Sequence, residues 1–297
     1  MYRGRFAPTP SGDLHLGSLV TALASYLDAR AAGGQWLLRI EDVDIHRCRP
    51  EFESNIKQEL ERHGLCWDSS VERQSDRQEL YWHALDQLNR LGRVYVCHCS
   101  KSTLSRRGCL KNSEGEFVYP GFCRSLPATN EPLEALKSLS SVRFRVSEQE
   151  TRFEDRWQGQ QCSFVSREAG DFVVRRADGC FAYHLAVVVD DQLQGVTHVV
   201  RGMDILPLTA RHLLLQQALG YEPPVYLHVP VVMSSDGSKL SKRDSSTALK
   251  VTSAQENLEN ALLHLGIVLP DKMNNAPTEE IIRFAVEKWK AISDDRL

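Results

Sequence analysis

Long apolar runs are missing from this chain of 297 residues. A helix needs about 20 predominantly apolar residues to cross a bilayer, and no stretch approaches that, so no membrane association is expected. The opening residues, Met1-Tyr2-Arg3-Gly4-Arg5-Phe6, lack the apolar core of a secretory leader, and a cytoplasmic location is expected. A basic surplus is missing as well. The 36 Lys and Arg stand against 39 Asp and Glu, so any hold on nucleic acid has to come from a local patch. One such patch lies between Cys97 and Arg124, where Lys101, Arg106, Arg107, Lys111 and Arg124 outnumber Glu114 and Glu116. Alone it reads as a solvated loop. Internal repeats and low-complexity tracts are also absent, which excludes solenoid and fibrous architectures. Eight cysteines in a chain this long, without a leader, argue for reduced thiols and against a disulfide framework. Cys48, Cys66, Cys162 and Cys180 are scattered; the other four are clustered.

What is present is an alternation of strand and helix patterns. Arg3 to Ala7 reads as a strand that runs into Pro8-Thr9-Pro10-Ser11-Gly12, where regular structure must stop. Leu19, Leu23, Tyr26 and Leu27 recur at helical spacing up to Gly33-Gly34, and Trp36 to Ile40 is a compact apolar strand. This βαβ order implies a parallel sheet. Helices are expected around Ile56 and Leu60 and around Ala84 and Leu88, with Gly64 and Gly92 as their stops. From Val94 onward short strands and polar loops suggest an inserted module, and Ala177-Asp178-Gly179 reads as a hairpin turn between strands Phe172–Arg176 and Cys180–Val189. The sheet pattern resumes with strand Val196–Val200, a helix carrying His212 and Leu215, and strand Tyr226–Met233; two amphipathic helices close the chain.

Two short segments carry chemistry. His15-Leu16-Gly17-Ser18 opens a helix, whose first N–H groups and positive dipole end attract phosphate. Lys239-Leu240-Ser241-Lys242-Arg243 sets two lysines in a polar loop after an apolar strand, suited to clamping polyphosphate. Each alone is weak: the histidine could simply cap its helix and the lysines could be an exposed turn. Together they suit a nucleoside triphosphate.

The run from Pro8 to Ser18, followed by Lys239 to Arg243, closely resembles the paired signatures of class I aminoacyl-tRNA synthetases. Arg5 to Gly12, Arg39-Ile40-Glu41-Asp42-Val43-Asp44 and Arg201-Gly202-Met203-Asp204-Ile205-Leu206 are similar to the corresponding segments of glutamyl-tRNA synthetases, almost from end to end of the sheet domain. The resemblance implies an α/β fold: a Rossmann-like parallel sheet in two halves (1–93 and 181–250), an inserted zinc-bearing α+β module that contacts tRNA (94–180) and a short helical C-terminal region (251–297). It implies that His15, Gly17, Ser18, Lys239, Ser241 and Lys242 hold ATP with Mg2+. Of these, His15, Lys239 and Lys242 would stabilise the transferring phosphoryl charge. For L-glutamate it implies Arg5 and Arg201 on the carboxylates, Glu41 on the ammonium group, Tyr183 as a further contact, and Phe6, Ala7, Pro8 and Thr9 beside them. That set is chemically apt, because guanidinium forks match carboxylates and a neutral glutamine would leave an arginine unpaired. Taken singly, Glu41 could be a helix cap, Tyr183 a core aromatic and Arg201 a surface ion-pair member.

The clustered cysteines fit one structural Zn2+. The family pattern maps onto Cys97, Cys99, Tyr119 and Cys123, whereas on ligand chemistry alone Cys109 or His98 is the natural fourth donor. Only 54 residues follow Arg243 in the 297-residue chain, too few for the helical anticodon-binding region of ordinary bacterial members. The chain therefore resembles a truncated branch of the family that activates glutamate and attaches it to queuosine in the anticodon of tRNA(Asp). The expected partners are ATP, L-glutamate and queuosine-containing tRNA(Asp), with the chain acting as a monomer. The competing readings are charging of a tRNA 3′ end and a non-catalytic tRNA-binding module.

Overall fold

In a computed structural model, the structure describes residues 1–125, 140–232, 249, 253–273 and 275–294. Strand β1 (Arg3–Phe6) leads through the proline-rich turn into helix α1 (Leu16–Ala31), and β2 (Gln35–Ile40) returns parallel to β1, with Arg5 opposite Leu37. Then come α2 (Pro50–Arg62), the short β3 (Glu72–Arg73) parallel to β2, and α3 (Gln78–Arg90). Gly64 and Gly92 sit just past these helices at φ 71° and 66°, the left-handed conformation in which a glycine closes a helix without a Cβ clash.

The middle of the chain comprises β4 (Val94–Cys97), α4 (Lys101–Arg106), β5 (Ser141–Phe144), β6 (Thr151–Asp155), β7 (Gly159–Ser163), α5 (Val165–Glu168) and β8 (Val173–Arg175). After α6 (Tyr183–Leu193) come β9 (His198–Gly202), α7 (Thr209–Leu219), β10 (Val225–Val229), α8 (Ala254–His264) and α9 (Thr278–Asp294). β9 and β10 are parallel, and the Thr197 N–H donates to the Arg3 carbonyl at 2.9 Å, so this second sheet starts beside β1. β4, β5 and β8 form a separate antiparallel sheet.

The expected parallel α/β core is present, with two local differences. Residues 180–189 are not a hairpin arm. The turn itself forms, with the Arg176 N–H on the Cys180 carbonyl at 2.8 Å, but after one bridge between Arg175 and Phe181 the chain enters α6. Every residue from Leu185 to Asp191 is buried, so α6 has no polar face and its sequence has no helical period to read. Second, β6 and β7 do not belong to the antiparallel sheet. β6 pairs parallel with β10, giving the order β7-β6-β10-β9, so part of the middle segment is built into the main sheet. The last parallel strand also stops at Val229, ahead of Pro230, which has no N–H for a ladder.

α1 lies at the centre of the larger core. Leu19, Leu23 and Leu27 pack with Trp36 of the sheet and with Leu258, Leu262, Ile281 and Trp289 of the last two helices. The Trp289 indole also donates to Asp28 of α1 at 2.9 Å, which holds α9 on the helix that opens the site.

Candidate active site and metal centre

The carboxyl ends of β1, β2, β9 and β10 open into one cavity of about 470 Å³, the usual position for a ligand in an open parallel sheet. Arg5, Phe6, Ala7 and Pro8 line it from β1, His15, Gly17 and Ser18 from the start of α1, Glu41 from β2, Tyr183 from α6 and Arg201 from β9. Thr9 lies next door, in a second cavity that shares Glu41 and Tyr183. Residues far apart in sequence and expected to share a site are therefore brought together. Lys239, Ser241 and Lys242 lie outside the described residues. The chain on either side of them is placed: Val232 lines the same cavity, and the Leu249 N–H donates to the Leu14 carbonyl beside the histidine turn at 3.3 Å.

His15 is the N-cap of α1. Its Nδ1 accepts the Ser18 N–H at 3.3 Å while Nε2 lies 3.1 Å from the Ser18 hydroxyl. A Cβ on Gly17 would come within 3.2 Å of this ring, so the glycine makes room for the histidine.

The two arginines have opposite surroundings. Arg5 is paired with Asp191 at 3.1 Å, and Asp191 also takes Arg39 at 2.8 Å. Burial opposes the Asp191 charge, but Arg5 and Arg39 outweigh it and hold its carboxyl below the usual range. Arg39 reaches on to Glu41 at 3.2 Å. Burial pushes the Glu41 carboxyl above its ordinary value, with Arg39 and Arg5 only partly countering. Glu41 is thus no helix cap; it is a buried acid facing the cavity, able to meet a cationic group.

Arg201 is buried, yet among the described residues no carboxylate lies within ion-pair distance of it. Its partners are neutral. Nε donates to His228 Nε2 at 2.9 Å, Nη2 to the Thr209 hydroxyl at 2.8 Å, and Nη1 lies 3.2 Å from His212 Nδ1 and 3.4 Å from the Tyr183 hydroxyl. Burial, reinforced by the nearby Arg201 charge, drives the His212 pKa far down; burial also lowers that of His228, with Asp155 pulling the other way. Both imidazoles are therefore neutral acceptors. A buried cation without a counter-ion is costly, so the cavity is set up for an anion.

Asp191, Arg39, His212 and His228 were not singled out from the sequence. Two signals could have found two of them: Asp190-Asp191 inside the apolar run of α6 points to Asp191, and a histidine in the otherwise apolar strand β10 is His228.

In the middle segment, the Cys97, Cys99 and Cys123 sulfurs all lie within 4.8 Å of one another. Cys99 and Cys123 are 3.7 Å apart, close to the roughly 3.8 Å edge of a tetrahedron with ~2.3 Å metal–sulfur bonds. The Tyr119 hydroxyl is the next donor, 3.3 Å from Cys97 and 3.8 Å from Cys99. Burial and the neighbouring cysteines raise the pKa of this phenol. The alternatives lie elsewhere: His98 Nδ1 is engaged by the Ser140 hydroxyl at 2.9 Å, and Cys109 only packs against the edge of the cluster. Tyr119 is held by a close backbone approach, since a Cβ on Gly170, at φ 65°, would fall 2.0 Å from the Tyr119 carbonyl oxygen. The residues present fit a closed metal site with sulfur-rich ligands.

Residues 1–292 match the family described as tRNA synthetases class I (E and Q), catalytic domain. The glutamyl-Q tRNA(Asp) synthetase of Pseudomonas paraeruginosa is 46% identical over 290 residues, covering 98% of this chain and 94% of that protein. The protein of the same name from Thiobacillus denitrificans is 46% identical over 287 residues, covering 96% of this chain and 92% of that one. Among solved structures, a glutamate tRNA ligase from Elizabethkingia meningosepticum superposes with a TM-score of 0.73 at 27% identity; the match covers 95% of this chain but only 64% of the ligase. The methionyl-tRNA synthetase of Mycobacterium tuberculosis, at 13% identity and a TM-score of 0.58, shares the fold alone.

Proposed function

Because the chain belongs to the class I tRNA synthetase family of the E and Q type, we propose that it is an ATP-dependent ligase that activates L-glutamate and transfers it to the queuosine base in the anticodon of tRNA(Asp). The observation that carries the substrate is Arg201, a buried guanidinium facing the cavity whose partners among the described residues are all neutral. A ligand carboxylate supplies the missing counter-ion, and Glu41 across the cavity takes the ammonium group.

In the first step the glutamate α-carboxylate attacks the α-phosphorus of ATP, forming glutamyl-adenylate and releasing pyrophosphate. The chain contributes position and charge: Arg5, Glu41, Tyr183 and Arg201 orient glutamate against the wall of Phe6 to Thr9, while His15, Gly17, Ser18, Lys239, Ser241 and Lys242 hold the nucleotide. ATP would enter with Mg2+, whose charge would offset that of the departing pyrophosphate. In the second step a hydroxyl of the queuosine ring attacks the acyl carbon, an ester forms and AMP leaves. Lys101, Arg106, Arg107 and Lys111 of the middle segment steer the anticodon phosphates. Cys97, Cys99, Tyr119 and Cys123 hold a structural Zn2+, which ties that segment together in place of a larger core. The division into 1–93, 94–180, 181–250 and 251–297, a monomeric state and a cytoplasmic location complete this reading.

The test is incubation with labelled glutamate, ATP and either queuosine-containing tRNA(Asp) or its unmodified transcript. Label should appear only on the modified tRNA and, after nuclease digestion, in the anticodon fragment and not on the 3′-terminal nucleoside. Label on the 3′ end, or none on either tRNA, overturns the proposal.

A further inference from the structure

Arg201 is aimed by a relay that begins in the middle of the chain. Asp155, the last residue of β6, and His228, in β10, are both buried, and His228 Nδ1 lies 2.6 Å from Asp155 Oδ2. The other carboxylate oxygen, Oδ1, accepts three backbone N–H groups, from Trp157 at 3.0 Å, Gln158 at 2.9 Å and His228 at 3.2 Å. An ionised carboxylate only accepts, so the proton between the two side chains sits on Nδ1. The imidazole then has a bare Nε2, and that atom receives the Arg201 Nε–H at 2.9 Å.

We infer that Asp155 and His228 are positioning residues for the substrate arginine: Asp155 fixes the His228 tautomer, and that tautomer turns the Arg201 guanidinium into the orientation that meets a ligand carboxylate. This deepens the proposed function, on whose assignment of Arg201 it rests. Neither residue lines the cavity, so neither touches the substrate.

The geometry makes one substitution unusually informative. In Asp155→Asn the amide oxygen has to occupy the Oδ1 position, because three N–H donors point there. The amide NH2 then faces His228 Nδ1, two donors cannot meet, and the proton must move to Nε2, where it opposes the Arg201 Nε–H. An almost isosteric change should therefore turn the acceptor behind the arginine into a donor. His228→Gln behaves differently, since its amide can donate to Asp155 and accept from Arg201.

The experiment has two readouts. Imidazole 15N shifts of the wild-type protein, with the His228 signals identified by their loss in His228→Gln, should show a protonated Nδ1 and a bare Nε2. The opposite tautomer overturns the inference without any activity measurement. In ATP–pyrophosphate exchange, Asp155→Asn should raise the glutamate KM by roughly tenfold or more, while the ATP KM and kcat stay within about threefold; His228→Gln should stay near wild type and His228→Leu should not. An unchanged glutamate KM in Asp155→Asn, or equal losses in all three variants explained by their melting temperatures, overturns it. Should Asp155→Asn fail to fold, the wild-type tautomer and the pair of His228 variants still decide. A wild-type protein that never activates glutamate would sink the proposed function, leaving the tautomer measurement to judge the relay by itself.

Discussion

Replacing Arg201 by methionine separates what this residue does for the ligand from what it does for the fold. The guanidinium makes three short contacts to neutral groups, at 2.9 Å to His228, 2.8 Å to Thr209 and 3.2 Å to His212. At ~1.5 kcal/mol for each bond from a charged donor, their loss removes about 5 kcal/mol. Against this, a buried cation without a carboxylate is penalised by several kcal/mol, a penalty methionine escapes. The two nearly cancel, and stability should change by no more than about 2 kcal/mol. Ligand binding has no such compensation. A two-point guanidinium–carboxylate contact, at ~1.5–3 kcal/mol per charged bond, is lost outright, so the glutamate KM should rise more than about a hundredfold. Glutamate should also cease to raise the melting temperature of the variant, as it should for the wild type. Arg5→Met is the contrast, because it strips one of two cations from the buried Asp191 and should cost more stability. A glutamate KM that stays within about threefold in Arg201→Met, or a melting temperature that falls as far as in Arg5→Met, refutes the reasoning.

Lys242→Ala should cut ATP–pyrophosphate exchange by about a hundredfold with no change in melting temperature; undiminished exchange removes this lysine from the mechanism. Wild-type protein purified without chelators should carry one zinc per chain by mass spectrometry, and both Cys97→Ser and Gly170→Ala should lose it, the second because a Cβ would fall 2.0 Å from the Tyr119 carbonyl oxygen. A metal-free wild type ends the zinc assignment. Stability should also decline as pH falls below about 6.5, because His212 and His228 are kept neutral when folded and gain protons on unfolding. Each buried histidine adds up to ~1.4 kcal/mol per pH unit to that slope, and a melting temperature flat from pH 7 to pH 5 contradicts their neutral assignment.

The placing of the candidate residues was legible from local signals, whereas their grouping into one site came from resemblance to a known family. Arg5, His15, Gly17, Glu41 and Arg201 sit at strand ends and a helix start, where the punctuation by proline, glycine and apolar runs is strong. α6 was misread as a strand for the opposite reason: it is buried all round, and a helix without a polar face has no period in its sequence. The choice between Tyr119 and Cys109 could not be made from spacing either. Tyr119 is placed beside the cysteines by its backbone contact with Gly170, 51 residues on, and Cys109 by where the chain turns after α4.

Apart from α6 and the middle segment, the order of strands and helices was determined by the sequence alone, as were the absence of a membrane-spanning run and the identity of the chemically able side chains, since periodicity and residue type are local properties. Which arginine meets a carboxylate and which meets only neutral groups among the described residues was decided only in three dimensions. Arg5 meets Asp191 from α6, whereas Arg201 meets imidazoles from α7 and β10, and no local pattern encodes that difference. The reason is electrostatic: a buried charge takes its energy from whatever the fold brings within a few ångströms, irrespective of distance along the chain.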